Sequence, residues 1–177
     1  FLEHRIGDPN LLRIVRRFLK AGIMEDGAFT ASDEGAPQGG LVSPVLSNIY
    51  LHYVLDLWFE KRFAGMCTGR AYLVRYADDY VACFEHAGDA RAFLGEMTAR
   101  LAQFDLEVEP SKTALLRFGS EQLGRTGAET PGSRTFSFLG LTHYVGKSRT
   151  GRFVVGRKTD GKRVRKKLKL LSERLRG

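Results

Sequence analysis

The sequence predicts an α+β fold, an antiparallel sheet with helices packed on one face. Apolar residues recur at helical spacing near residues 11–21, 43–63 and 88–104. Short runs of β-branched and aromatic residues, broken by glycine, proline or acidic turns, fall between and after them. Helices and antiparallel hairpins in this order suggest an α+β sandwich, and no internal repeat interrupts it.

The first helix carries Leu11, Leu12, Val15, Phe18 and Leu19 on one face and Arg13, Arg16, Arg17 and Lys20 elsewhere, with Gly22 as its stop. The glycine-rich stretch IMEDGAFTASDEGAPQGG reads as one or two short strands and turns. Ser43-Pro44 then opens a second helix, as an N-cap followed by the residue best tolerated in a first turn. Its inward stripe is Leu46, Ile49, Tyr50, Tyr53, Val54, Leu57 and Trp58, ending near Phe63. A hairpin follows over LVRYADDYVACF. The third helix, from about Gly88 to Phe104, buries Ala90, Phe93, Leu94, Met97, Leu101 and Phe104. LEVEPSKTALLRFG alternates like a strand interrupted at Pro110, and residues 120–135 have loop composition. FSFLGLTHYV and RFVVGRK read as strands around a Lys147–Gly151 turn. A basic helix starts near Lys162, with Val164, Leu168, Leu171 and Leu175 on one side.

Composition bounds the class. Of 177 residues, 43% are hydrophobic and 11% aromatic, which suits one soluble globular domain with a core. There is no apolar run of about 18 residues, so no membrane span or membrane partner is expected. No signal peptide is visible, and Cys67 and Cys83 imply neither a metal site nor a disulfide framework, so a reducing cytoplasm is the expected compartment. Phe1 stands in sequence that already reads as helix, as in a piece of something longer. The net charge of +8 is unevenly placed. Residues 146–177 hold 13 bases and two acids, a net of +11; the rest of the chain nets −3. Such a tail is the footprint of a phosphate-backbone partner.

The chemistry lies in two segments. In RYADDYVACF, Asp78 and Asp79 stand side by side at the tip of an apolar, aromatic hairpin. Either they form a solvated turn, or their repulsion is relieved by cations; paired carboxylates are what a two-Mg²⁺ site needs. In GAPQGGLVSPVLSNIYL, Gly35, Gly39 and Gly40 surround Gln38, a composition that permits close backbone approach to a ligand. The bland alternative is a loop feeding a helix. Cys83 reads as a small buried hydrophobe. His143 and Tyr144 read as an ordinary strand pair.

With these residues the chain resembles the palm of a reverse transcriptase, most like the bacterial group II intron-encoded kind. Tyr76-Ala77-Asp78-Asp79 resembles the family's YxDD box, and GAPQGGLVSPVLSNIYL its PQG-SP-L-N-Y-L block. FDLEVEPSKT resembles the block after the catalytic hairpin, and Phe138-Leu139-Gly140 the FLG box before the primer grip. The resemblance implies a palm-like sheet over residues 1–160, lacking fingers, and a basic helix from 161 to 177 that starts a thumb. It implies that Asp78 and Asp79 are catalytic and bind Mg²⁺, with Mn²⁺ as a substitute. Gln38, Tyr76, Ala77 and Lys112 would meet the nucleotide. Phe138, Leu139, Gly140, Lys158, Lys162, Arg163, Arg165, Lys166 and Lys167 would meet nucleic acid. Partners would be an RNA template, a DNA primer, deoxynucleotide triphosphates and intron RNA. The family's first catalytic aspartate has no counterpart: Asp8 adjoins Pro9 in a loop-like setting, and Asp26 precedes a glycine turn. The chain by itself is therefore expected to make no DNA. The alternatives are a non-catalytic RNA-binding splicing (maturase) module, or a retron, diversity-generating or CRISPR-associated reverse transcriptase.

Overall fold

The structure is a computed structural model that describes residues 1–20, 23–25, 28–30, 42–120 and 135–176, without the side chains of 23–25, 28–30 and 162. The chain divides into two compact units, Phe1–Met66 and Cys67–Gly177.

In the first unit a helical turn, Leu2–His4, precedes helix α1, Pro9–Lys20. Asp8 is the cap of α1 rather than a loop residue. Its Oδ1 accepts the Asn10 N–H at 2.8 Å and its carbonyl accepts the Leu12 N–H at 3.2 Å, while Pro9 fills the first helical position. The side chains of Arg16 and Glu3 form an ion pair. Strands β1, Ile23–Glu25, and β2, Ala28–Thr30, pair antiparallel. Helix α2, Ser43–Leu51, continues into wider π-helical turns over His52–Asp56 and Phe59–Phe63. Those turns change which residues are buried. Val54, Leu55, Phe59 and Phe63 are inside, and of these Leu55 and Phe59 lie off the expected stripe. Ser43, expected as the cap, lies inside the first turn. The Val42 carbonyl already accepts the N–H groups of Val45 and Leu46, each at 3.0 Å, and Val42 takes the cap position without a side-chain bond.

In the second unit strands β3, Ala71–Tyr76, and β4, Asp79–Phe84, form an antiparallel hairpin with six consecutive pairs, Ala71 opposite Phe84 through Tyr76 opposite Asp79. Helix α3, Ala87–Ala102, buries Phe93, Met97 and Leu101, the spacing the sequence predicts. The Phe93 ring packs 5.2 Å from Phe84 and 6.5 Å from Tyr80. The helix closes with Asp105 in the left-handed region, φ 54°, and the Leu106 N–H on the Leu101 carbonyl at 3.1 Å.

Two strand expectations are corrected. Residues 106–119 form no strand; Pro110 has no N–H for a ladder, and the Glu109 carboxylate takes the Ser111 N–H and hydroxyl, winding Pro110–Lys112 into a helical turn. FSFLGLTHYV is two strands, β5, Thr135–Phe138, and β6, Leu141–Lys147, because Leu139 and Gly140 turn the chain between them. Strand β7, Phe153–Thr159, pairs with β6 to complete a three-stranded antiparallel sheet. Helix α4, Gly161–Arg176, is the last described element. The fold is α+β, as predicted. Among the described residues, no helix is long and apolar enough to cross a membrane.

Candidate active site and nucleic-acid interface

The β3–β4 hairpin turns through only two residues, Ala77 and Asp78. Ala77 sits in the left-handed region at φ 54° and Asp78 does not share it, the sign pattern of a type II′ turn. Holding an alanine there costs about 1–2 kcal/mol. Arg75 secures it: its Nη1 donates to the Ala77 carbonyl at 2.7 Å. Opposed residues of an antiparallel pair share a face. One face therefore carries Tyr72, Val74 and Tyr76 with Asp79, Val81 and Cys83; the other carries Leu73, Arg75, Tyr80, Ala82 and Phe84 toward α3. The first face is open, and Tyr76 is 66% exposed. Asp78 and Asp79 are both exposed, and among the described residues neither carboxylate enters an ion pair.

This open face corrects one reading. Cys83 is exposed on it rather than buried, although nearby groups still desolvate the sulfur and push its thiol up. Burial likewise raises the Tyr80 phenol on the opposite face.

The second tip lies in the other sheet. Leu139 and Gly140 both have positive φ, 52° and 78°, the pattern of a type I′ turn. Leu139 is 48% exposed in a conformation that leucine rarely adopts. Gly140 is favoured by its φ, and the Arg163 guanidinium lies against it, its Nη1 2.2 Å from where a Cβ would stand. Around that guanidinium the turn joins the start of α4. The Gly140 carbonyl accepts the Asp160 N–H at 3.0 Å, and the Asp160 carboxylate accepts the Ser137 hydroxyl at 2.9 Å. The structure thus brings Phe138, Leu139 and Gly140 together with Arg163. Lys158 sits on β7 with its ammonium 5.7 Å from the centre of the Tyr144 ring, and that ring covers Gly156. Arg165, Lys166 and Lys167 are exposed along α4, as are the leucines of its apolar stripe.

Other predicted residues stand apart or outside. Lys112 is exposed on the turn Pro110–Lys112. Gln38 and glycines 35, 39 and 40 lie outside the described residues, as does the Lys162 side chain. Among the described residues no three acidic, His or Cys side chains group for a metal. What the tip does offer is two adjacent hard-oxygen ligands, exposed and uncommitted, a donor set that fits Mg²⁺ in part.

Sequence reasoning missed Asp89. It is the third residue of α3, only 9% exposed, and it accepts hydrogen bonds from the residues that lead into β3. An Asp in the first turn of a predicted helix was the available signal, and it pointed only to a favourable helix end.

Comparison with known proteins now bears on these two tips. The family model for reverse transcriptase (RNA-dependent DNA polymerase) matches residues 3–143. The chain belongs to this family. The group II intron-encoded protein LtrA of Lactococcus lactis subsp. cremoris is 44% identical over 57 residues, 30% of this chain and 10% of that protein. Protein YkfC of Escherichia coli K12 is 39% identical over 64 residues, 36% of this chain and 17% of that protein. A 91 kDa protein in the cob intron of Schizosaccharomyces pombe is 21% identical over 189 residues, 77% of this chain and 23% of that protein. The chain therefore spans about a tenth to a quarter of the length of these relatives.

Proposed function

We propose that this chain is the palm portion, residues 1–160, and the first thumb helix, 161–177, of an RNA-directed DNA polymerase of the group II intron-encoded kind that works in the cytoplasm. The observation that carries the proposal is the pair Asp78 and Asp79, exposed and without ion-pair partners among the described residues at the tip of a tight hairpin inside the family match. Asp78 and Asp79 would hold two Mg²⁺ ions together with a carboxylate from outside this chain. When bound, such ions neutralise charge on the phosphate and lower the pKa of an attacking hydroxyl. The residues of the chain supply placement: the hairpin fixes the two carboxylates, and Tyr76 shares the open face with Asp79. Gln38 and Lys112 would hold the deoxynucleotide. The Leu139–Gly140 turn, Lys158 and the bases of α4 would hold the primer and the RNA template, Lys162 among them. A splicing role on intron RNA is the second reading, favoured by the net +11 of residues 146–177.

Primer extension on an RNA template, in the intact protein that carries this chain, tests the proposal. Asp78→Asn or Asp79→Asn is expected to cut extension by about 10³-fold, with RNA affinity held within about twofold. Extension that persists in both variants contradicts it. RNA affinity unchanged alongside lost extension also separates catalysis from the second reading.

A further inference from the structure

The hairpin that carries Asp78 and Asp79 is held at its root as well as its tip, and the root is the less obvious half. Asp89, buried in the first turn of α3, accepts the Thr68 N–H at 3.1 Å and the Thr68 hydroxyl at 3.0 Å on Oδ2. The same oxygen accepts the Gly69 N–H at 3.1 Å, and Oδ1 lies 3.2 and 3.1 Å from the Thr68 nitrogen and hydroxyl. One carboxylate thus binds two backbone N–H groups and a hydroxyl just before β3 begins at Ala71. Gly69 has no room for a side chain: an added Cβ would stand 2.7 Å from His86 and 2.8 Å from the Glu85 Cβ. Alongside, the Arg70 N–H and Nε both donate to Glu85 Oε2, at 3.1 and 3.2 Å, but that pair is exposed and contributes little.

We infer that Asp89 is a positioning residue for the reaction assigned to Asp78 and Asp79, fixing the hairpin root on α3 so that the tip is presented at one pitch. The inference rests on the polymerase reading for its functional half. Among the described residues no third strand is hydrogen-bonded to the hairpin, although β4 also touches β5, and two attachments hold it on α3. One is the packing of Tyr80, next to the tip, and Phe84, at the base, on Phe93. The other is the Asp89 carboxylate. The six pairs of β3 and β4 run without a bulge, so a rotation at Gly69 is carried along the strands to Asp78. Displacing reacting groups by an ångström is enough to slow chemistry severely without touching substrate affinity. An asparagine at 89 has one acceptor oxygen, and its amide group would oppose an N–H donor that the carboxylate now satisfies.

The experiment compares Asp89→Asn, Thr68→Val and Thr68→Ser in the intact protein by hydrogen exchange and by primer extension on an RNA template. In Asp89→Asn the amides of β3 and β4 should exchange about tenfold faster, with those of β5–β7 unchanged. The kcat should fall about tenfold or more while the KM for nucleotide stays within about twofold. Thr68→Val, which removes one donor and keeps the shape, should move both readings the same way by a smaller factor, and Thr68→Ser should restore both. Should Asp89→Asn not fold, the Thr68 pair carries the test. Unchanged exchange in Asp89→Asn and Thr68→Val overturns the latch. Faster exchange with unchanged kcat, or a loss confined to KM, overturns the positioning role. If the unaltered protein makes no DNA, the polymerase reading is what fails, and the exchange data still decide whether Asp89 holds the hairpin.

Discussion

Two hairpin tips in this chain are built alike and charged oppositely. The Ala77–Asp78 turn and the Leu139–Gly140 turn each have two residues, and each puts a non-glycine residue, Ala77 or Leu139, in the left-handed region. At the first tip the guanidinium, Arg75, belongs to the hairpin's own strand and grips the turn carbonyl, which leaves the two carboxylates outside and free of ion pairs among the described residues. At the second tip the guanidinium, Arg163, comes from the following helix and crosses the glycine. One tip is an acid presented on a self-contained support. The other is a junction that ties a sheet to a basic helix. Strain of this size persists only where the surroundings over-determine the turn. The difference lies in what each turn serves: the first presents carboxylates, and the second sets where positive charge begins.

Substitutions at the turns should separate the two designs. Gly140→Ala is expected to destabilise the protein by about 1–2 kcal/mol, the cost of an alanine at φ 78°. Arg163 meets the new methyl with the far end of a flexible side chain and can swing aside, so no larger loss is expected. Denaturant unfolding measures it; no change would mean that the Gly140 conformation is not needed. Ala77→Gly should act with the opposite sign and a smaller size. It relieves about 1–2 kcal/mol of left-handed strain but adds about 0.5–1 kcal/mol of unfolded-chain entropy, for a net gain of at most about 1.5 kcal/mol. Destabilisation by Ala77→Gly would show that the alanine methyl is packed rather than strained.

Acid unfolding probes the root of the first hairpin. Burial pushes the Asp89 carboxyl up, but the N–H groups of Thr68 and Gly69 and the Thr68 hydroxyl outweigh it, and the nearby His86 adds to them, so the folded value lies below the ordinary carboxylate range. A carboxyl lowered in the folded state contributes stability that is complete above its unfolded pKa, about 3.9, and is lost as pH falls through the lower folded value. Asp89→Asn should therefore flatten the loss of stability below about pH 4. A pH profile identical to that of the unaltered protein would contradict the assignment.

Much of this was legible in the chain. The α3 stripe, the acidic tip and the charge split follow from periodicity and turn chemistry, and they stand where the sequence places them. What was not legible has local causes. The π-turns of α2 shift burial to Leu55 and Phe59 because hydrogen bonding, not side-chain pattern, sets their width. The LEVEPSKT strand fails at one Glu109 cap. The Leu139 turn is hidden because leucine is a poor signal for a left-handed residue. Asp89 is hidden because its partners, Thr68 and Gly69, lie 20 residues or more away in sequence.

The measurement that tests the division between the tips most directly is a salt series of RNA binding and a primer-extension assay on the same samples of the intact protein. It compares the unaltered protein, the pair Asp78→Asn/Asp79→Asn, and the triple reversal of Arg165, Lys166 and Lys167 to Glu; Arg163 is left in place because it crosses Gly140. If about five bases meet phosphates, log K should fall with log salt at a slope of about −3.5 on single-stranded RNA, and the triple reversal should flatten it by about 2. The aspartate pair should keep the full slope and lose extension. Extension that survives in the aspartate pair, or a flat salt dependence in the unaltered protein, would contradict the account.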